Sequence, residues 1–212
     1  MSADNRDALL ADIIKRECKF VGDLDNFIVG FIKPLFNRDT PFKRQMLEDP
    51  YIGACLNLYI DIYAACQLFL SSLQEASTDA QIADAISQFA PSLSIFSQYL
   101  TEVTSAINSL SKFGRPLFEY ASGCLATGTT VENELLALQQ HYAGYRELIT
   151  QLVFRTPPGN EGMADMATAL KIFEDACDMV DARIDDETVK VQLLLLQQQC
   201  KFNLLISTYL IV

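Results

Sequence analysis

Apolar residues along most of this chain recur at intervals of three and four positions, and not at intervals of two. This spacing places apolar side chains on one face of an α-helix, whereas a half-buried strand would alternate. Turn-forming residues interrupt the pattern at residues 37–41, 49–50, 76–79, 114–116, 126–130 and 156–162. We therefore predict an all-α bundle of about six helices, several of them long.

Length and charge narrow the class of protein further. The chain has 212 residues, 50% of them apolar, which is enough for one domain with a sizeable core. The formal net charge is −11. Because such a surface repels phosphate, we expect no nucleic-acid partner and no direct contact with anionic membranes.

Cysteine and histidine usage argues against a metal site. The six cysteines are dispersed without a CxxC pair, and His141 is the only histidine. Zinc sites use clustered ligands, so we predict no metal and mostly buried, reduced thiols. The opening MSADNRDALL lacks the order of a signal peptide, and the longest apolar run, residues 204–212, is too short to span a bilayer. We therefore expect a cytoplasmic protein.

The residue patterns of covalent catalysis are missing from the sequence. There is no GxSxG, no glycine-rich phosphate loop and no HExxH or ExxH box. A hydrolytic triad would need a base beside a nucleophile, and the single histidine leaves few candidates for that base. We predict a protein that acts by binding, with no cofactor of its own and no covalent chemistry.

One acidic residue interrupts the apolar face of the first predicted helix. Glu17 falls in the middle of a stripe that runs from Leu10 to Leu35 in steps of four and three. Burying a carboxylate without a partner is costly. Two interpretations stay open on periodicity alone. Glu17 is satisfied within the fold, by an internal salt bridge or a solvated first turn, or it lies where a partner molecule can reach it.

The helix predicted over residues 131–154 has two faces. Opposite its apolar stripe lies a row with spacings of four, three and four, made of Gln140, Gly144, Glu147 and Gln151. A solvated face explains the polar members of this row but not the glycine. Glycine inside a helix costs about 1 kcal/mol relative to alanine. We therefore expect a flat spot at Gly144 that another backbone can approach.

Acidic residues line much of the helix predicted over residues 162–184. This density is typical of a solvated flank, or of one that faces a basic partner. Residues 189–200 (VKVQLLLLQQQC) are expected to continue as helix.

Several segments, in order, resemble characteristic regions of Dbl-homology domains. Residues 13–36 (IIKRECKFVGDLDNFIVGFIKPLF) are similar to an opening helix TExxYVxxL and an apolar run ending in Pro-Leu, with Glu17 at the Glu position. Residues 62–73 (IYAACQLFLSSL) resemble IYxxHxxFLxxL, with Cys66 at the His position. Residues 82–99 (IADAISQFAPSLSIFSQY) resemble IGxxFLxxAPxLxxYxxY.

The resemblance continues through the second half of the chain. Residues 135–152 (LLALQQHYAGYRELITQL) resemble the signature helix LxKPVQRIxRYxLLLxxL. Residues 153–181 resemble the following turn and final helix, LxxTPxxHxDxxxLxxALxxIxxxxxxIN. Order and spacing agree from residue 8 to about residue 200, so the five segments together identify the family far better than any one of them.

This resemblance implies an elongated six-helix bundle that acts as a guanine-nucleotide exchange factor for a Rho-family small GTPase, with the nucleotide-free GTPase preferred. It implies a Dbl-homology-like domain over residues 1–200. Residues 201–212 would then begin a following pleckstrin-homology-like domain, with a strand at residues 204–212, and any membrane contact would run through that domain. It also favours the partner-facing interpretation of Glu17. The implied GTPase-binding residues are Glu17, Val21, Gln140, His141, Gly144, Glu147 and Asp181.

The sequence departs from the family pattern at several of these positions. Where the signature helix has Lys-Pro, then Arg and then a basic residue, this chain has Ala137-Leu138, His141 and Gly144. Asp181 stands at the family's Asn. These changes remove cationic donors, and a desolvated charged hydrogen bond is worth about 1.5–3 kcal/mol. The alternative is therefore a catalytically weak or inactive module that binds a GTPase or acts as a scaffold.

Overall fold

The described part of the chain is helical throughout its regular structure. The computed structural model describes residues 3–37 and 41–209, and the side chains of residues 5–37 and 41–188. Within these ranges there are helices and turns and no strand, so the predicted all-α class is confirmed.

Nine α-helices follow one another along the described ranges. Their bounds are α1 Ala3–Phe27, α2 Lys33–Asn37, α3 Pro41–Glu48, α4 Pro50–Glu75, α5 Asp79–Phe89, α6 Leu93–Leu110, α7 Gly114–Ser122, α8 Val131–Arg155 and α9 Met163–Tyr209. A π-helical turn, Ile28–Ile32, joins α1 to α2. The six helices α1, α4, α5, α6, α8 and α9 have 11 residues or more, which confirms the expected number of principal helices.

Side-chain caps explain where three of the long helices begin. The carboxylate of Asp49 accepts hydrogen bonds from the backbone N–H groups of Tyr51 and Ile52, at 3.1 and 3.2 Å, at the start of α4. The hydroxyls of Thr78 and Thr130 cap α5 and α8 in the same way. These oxygens satisfy N–H groups that have no partner within the helix.

The core lies between α1, α4, α5, α6, α8 and α9. The apolar stripe of α1 faces it: the predicted members are buried, apart from Leu10 and Ile14, which are half-buried. By length and composition α4 is apolar enough to cross a membrane, but it packs against α1, α5 and α6 and is a core helix here. Deep in the core, the hydroxyl of Tyr99 donates to the carbonyl of Leu135 at 2.8 Å.

The π-helical turn is a feature that the apolar spacing did not predict. The hydroxyl of Tyr120 donates to the carbonyl of Phe31 within it, at 2.9 Å. A Cβ atom at Gly30 would lie 2.9 Å from the carbonyl oxygen of Cys124, so the two backbones meet closely at this point. The turn at the end of α1 therefore packs against α7 and the segment that follows it.

The last helix is longer than expected. It includes residues 162–184 almost completely and continues through residues 189–200 as predicted, and it ends at Tyr209. The strand expected at residues 204–212 is wrong as far as Tyr209, and residues 210–212 lie outside the described residues. A lone strand has no neighbour for its N–H and C=O groups, whereas a helix satisfies them internally. The domain boundary at residues 200–201 stays a prediction.

Candidate functional site in the groove between α1 and α8

Glu17 is buried and hydrogen-bonded within the fold. Its side chain is 1% exposed. The Nε2 atom of His141 on α8 lies 2.7 Å from its Oε1 atom, and the hydroxyl of Tyr145 donates to its Oε2 atom at 3.0 Å. In the chain by itself Glu17 is therefore not open at the surface, and contact between Glu17 and a partner stays a prediction. The internally paired alternative is the arrangement found, because two polar groups of α8 offset the cost of burying the carboxylate.

Aromatic rings hold the imidazole of His141 in place. The ring of Phe20 stacks on it with a centroid distance of 3.5 Å and an interplanar angle of 10°. Tyr145 meets its edge at 4.8 Å. On the outer side His141 keeps contact with solvent, because its side chain is 18% exposed. The imidazole is thus the outermost member of the Glu17 network.

The interior of this network resists ionisation. Burial raises the pKa of Tyr145 well above its usual range, and the neighbouring Cys66 and Glu17 add to the effect. Burial, together with the Glu17 carboxylate, likewise raises the pKa of the Cys66 thiol to about 12. The Cys66 sulfur lies 3.7 Å from the Tyr145 hydroxyl. Both groups therefore stay neutral near pH 7 and act as hydrogen-bonding partners, not as nucleophile or base.

A groove of about 350 Å³ runs over this network, between α1 and α8. Its lining is Arg16, Lys19, Phe20, Asp23, Gln140, His141, Gly144, Tyr145 and Leu148. Glu17 lies beneath the imidazole, and the lining does not include it. The α1 side of the groove carries two cations, Arg16 and Lys19, and one acid, Asp23, on a protein of net charge −11.

A second cavity of about 330 Å³ lies on the other side of α8, against α6 and α9. Here the hydroxyl of Tyr142 donates to Oδ1 of Asp181 at 3.2 Å. Arg146 pairs with Asp178 at 2.7 Å and with Asp181 at 3.3 Å. Burial, then the nearby Cys177 and Asp181, raise the pKa of Tyr142 above its usual range. These contacts tie α8 to α9.

A sequence profile of the RhoGEF domain matches residues 9–181, most of the chain. The chain belongs to the RhoGEF domain family. The resemblance to Dbl-homology domains is thereby confirmed. A search of curated protein sequences finds no match.

Solved structures of RhoGEF proteins share this fold. Autoinhibited Vav1 is 19% identical, with a TM-score of 0.78 over 93% of this chain and 37% of that one. The DH domain of FARP2 is 18% identical, with a TM-score of 0.60 over 94% of this chain and 99% of that one. The DH/PH domains of PDZ-RhoGEF, solved with GTP-γ-S-activated RhoA, are 11% identical, with a TM-score of 0.61 over 91% and 58%. The chain thus spans about a third of the Vav1 chain and nearly all of the isolated FARP2 domain.

The structure brings together only part of the predicted RhoGEF site. Gln140, His141 and Gly144 line the groove. Val21 is buried in the core and is not part of the lining. Asp181 faces the second cavity, on the far side of α8.

Glu147 is exposed on α8, where it accepts a hydrogen bond from Gln151 at 2.9 Å. Sequence reasoning missed Phe20 and Tyr145 as the groups that fix the imidazole and the carboxylate. Both lie in the matched segments, one turn from Glu17 and from His141, and that spacing was the available signal.

A Cβ atom at Gly144 would meet no heavy atom within 4 Å. Packing among the described residues therefore gives no reason for a glycine in the middle of α8. Among the residues whose side chains are described, no group of three or more His, Cys, Asp or Glu could hold a metal ion. The site is a groove between α1 and α8 with open space at Gly144.

Proposed function

We propose that this chain is a guanine-nucleotide exchange factor, which binds a Rho-family small GTPase and promotes GDP release by remodelling the GTPase switch regions. One observation carries the proposal: the chain belongs to the RhoGEF family, and its open groove is formed by the two segments that resemble the family's GTPase-contacting regions. The complex of PDZ-RhoGEF with RhoA supports the class of partner.

Such a protein accelerates release by differential binding. Nucleotide at picomolar affinity is held by about 16 kcal/mol, so the exchange factor must favour the GTPase shape that has lost nucleotide. The same coupling works in reverse, and nucleotide weakens binding of the exchange factor. We propose that Gln140, Gly144 and Glu147 on α8 contact switch II, and that Glu17 on α1 accepts a hydrogen bond from switch I. Magnesium and nucleotide belong to the GTPase and not to this chain.

A rigid platform suits this task. The hydrogen bond from Tyr145 to Glu17 ties α8 to α1, and Arg146 ties α8 to α9 through Asp178. A helix held on both sides can deform a softer partner without deforming itself. The free energy of binding is then used to distort the switch regions of the GTPase.

The direct test is release of fluorescent GDP from a panel of Rho-family GTPases, measured with excess unlabelled nucleotide. We expect accelerated release from at least one member, and a slower rate for Gln140→Ala. Arg115→Ala is the matched control, because Arg115 pairs only with the exposed Glu119 among the contacts described and lies away from the groove. Unaccelerated release from every member of the panel would refute exchange activity.

The second candidate is a weak or inactive module that binds a GTPase or serves as a scaffold. The buried position of Glu17 and the missing cations at Ala137, His141 and Gly144 favour it. Such a module would bind the GDP, GTP and nucleotide-free forms of a GTPase about equally. A pull-down with each of the three forms separates the two candidates, since an exchange factor prefers the nucleotide-free form.

We also propose that the protein works in the cytoplasm and reaches a membrane only through a neighbouring domain that begins near residue 201. The acidic charge of the chain supports this proposal, because it opposes direct binding to anionic lipid. Sedimentation of the purified chain with phosphatidylserine vesicles tests it, and we expect the chain to stay in the supernatant.

A further inference from the structure

The Glu17 carboxylate is separated from the α1–α8 groove by a single side chain. His141 contacts Oε1 of Glu17 on its inner side and lines the groove on its outer side. No other member of the groove lining has a described hydrogen bond to Oε1; Tyr145 bonds to Oε2. A partner molecule in the groove therefore meets the imidazole before it can meet the carboxylate.

The carboxylate would stay in position if the imidazole moved away. The hydroxyl of Tyr145 holds Oε2 at 3.0 Å, and Tyr145 is itself fixed in the core beside Cys66. Only Oε1 would lose its hydrogen-bonding partner. A donor from an incoming protein could take the vacated place, and one hydrogen bond to a buried carboxylate would replace another.

Two aromatic side chains contact the imidazole besides Glu17. Phe20 stacks on one face of the ring, and Tyr145 meets its edge. His141 is partly exposed, unlike Glu17 and Tyr145, which are buried. It is therefore the member of the network that can leave without opening the core.

We propose that His141 is an autoinhibitory latch over Glu17: the chain alone holds its principal GTPase-binding carboxylate closed, and a GTPase must displace the imidazole to reach it. This inference rests on the proposed function and adds how its site is regulated. The closed form reduces apparent affinity by the fraction of open molecules, so removing the latch raises it.

His141→Ala tests the latch, and alanine is the best helix former at this position. We expect GDP release from a responsive GTPase to become about tenfold faster at subsaturating exchange factor. The double variant Glu17→Gln with His141→Ala should lose that gain, because an amide replaces the uncovered carboxylate. Arg115→Ala is the control for general effects of substitution. A rate for His141→Ala equal to or below wild type, from an active wild type, overturns the latch and leaves exchange activity standing.

A second readout is independent of any GTPase. Carbodiimide with glycinamide modifies accessible carboxylates, and mass spectrometry locates the label. Glu17 should be protected in wild type and labelled in His141→Ala, while the exposed Glu147 is labelled in both. If neither protein accelerates GDP release, the proposed function fails and this labelling decides the latch; equal protection of Glu17 overturns it.

Folding of the variant is checked by circular dichroism and thermal melting. If His141→Ala does not fold, Phe20→Leu replaces it, because this change removes the ring that stacks on the imidazole but keeps an apolar side chain in the core. A partial gain in GDP release and partial labelling of Glu17 are then expected. No change in either measurement overturns the latch.

Discussion

The substitution Gly144→Ala tests the α8 surface, because we expect it to raise the stability of the fold and to lower its affinity for a GTPase. Alanine at this position would meet no heavy atom within 4 Å, so the added methyl group creates no clash in the free protein. Replacing a glycine inside a helix by alanine gains about 0.5–1 kcal/mol. For a protein of 212 residues we expect a rise in melting temperature of about 2 °C.

The same methyl group would stand in the groove where we propose that the GTPase backbone approaches. Crowding of a close contact costs about 1–3 kcal/mol, which corresponds to a loss of about fivefold to a hundredfold in affinity. Titration calorimetry or interferometry with a nucleotide-free GTPase measures this loss. The measurement is made beside a melting curve of the same preparation, so that the two effects are compared directly.

Gly22 is the matched control. It lies within α1, is exposed, and would also meet nothing within 4 Å on gaining a Cβ atom, but it does not line the groove. Gly22→Ala should stabilise the fold by a similar amount and leave GTPase binding unchanged. Equal affinity for wild type and Gly144→Ala would refute the idea that a partner backbone needs this glycine. A lower melting temperature for Gly144→Ala would refute the open geometry itself.

Two further predictions concern the start of α4. Gly53→Ala should destabilise the fold by about 1–3 kcal/mol in urea unfolding, because the new Cβ atom would lie 2.7 Å from the carbonyl oxygen of Leu47, which is backbone and cannot easily move; a stability equal to wild type would contradict this contact. Asp49→Ala should cost about 1 kcal/mol by removing the helix cap. Burial raises the pKa of Asp49, but hydrogen bonds from the backbone of Ile52 and Tyr51 and from Lys112 outweigh it and leave the pKa lowered. The ionised cap therefore stabilises the fold above the unfolded pKa of about 3.9 and is lost as pH falls through the lower, folded value. The difference between wild type and Asp49→Ala should accordingly shrink in unfolding measured below pH 4, and a constant difference would contradict the lowered pKa.

Local patterns predicted the secondary structure well where one helix face is buried throughout. The helix predicted over residues 131–154 is α8, Val131–Arg155, because its ends carry a threonine cap and a Pro-Gly turn that are visible in the sequence. The π-helical turn at Ile28–Ile32 was not predictable in this way, since the apolar spacing carries no signal for it and its contact with Cys124 is made by a residue far along the chain. The strand predicted at residues 204–212 followed from the family resemblance and not from a partner strand in this chain.

The candidate site was predictable in its residues but not in its arrangement. Periodicity identified Glu17 as the anomaly of α1, and the resemblance placed His141 in the same site. Neither could show that the two side chains, 124 positions apart, contact each other, because the rotation of α8 against α1 depends on the packing of the whole core. For the same reason Asp181 was grouped with Gln140, although the two residues line cavities on opposite sides of α8.

Two glycines of this chain differ in what their retention among related proteins would mean. A Cβ atom at Gly162 would lie 2.5 Å from Cβ of Asp79 and 2.7 Å from the backbone nitrogen of Ala80, so any larger residue would push the start of α9 away from α5. Relatives that kept a glycine there would be obeying a steric limit of the scaffold, whatever they bind. At position 144 the described residues supply no such internal cause, so a glycine kept there across a lineage would record selection by an outside molecule.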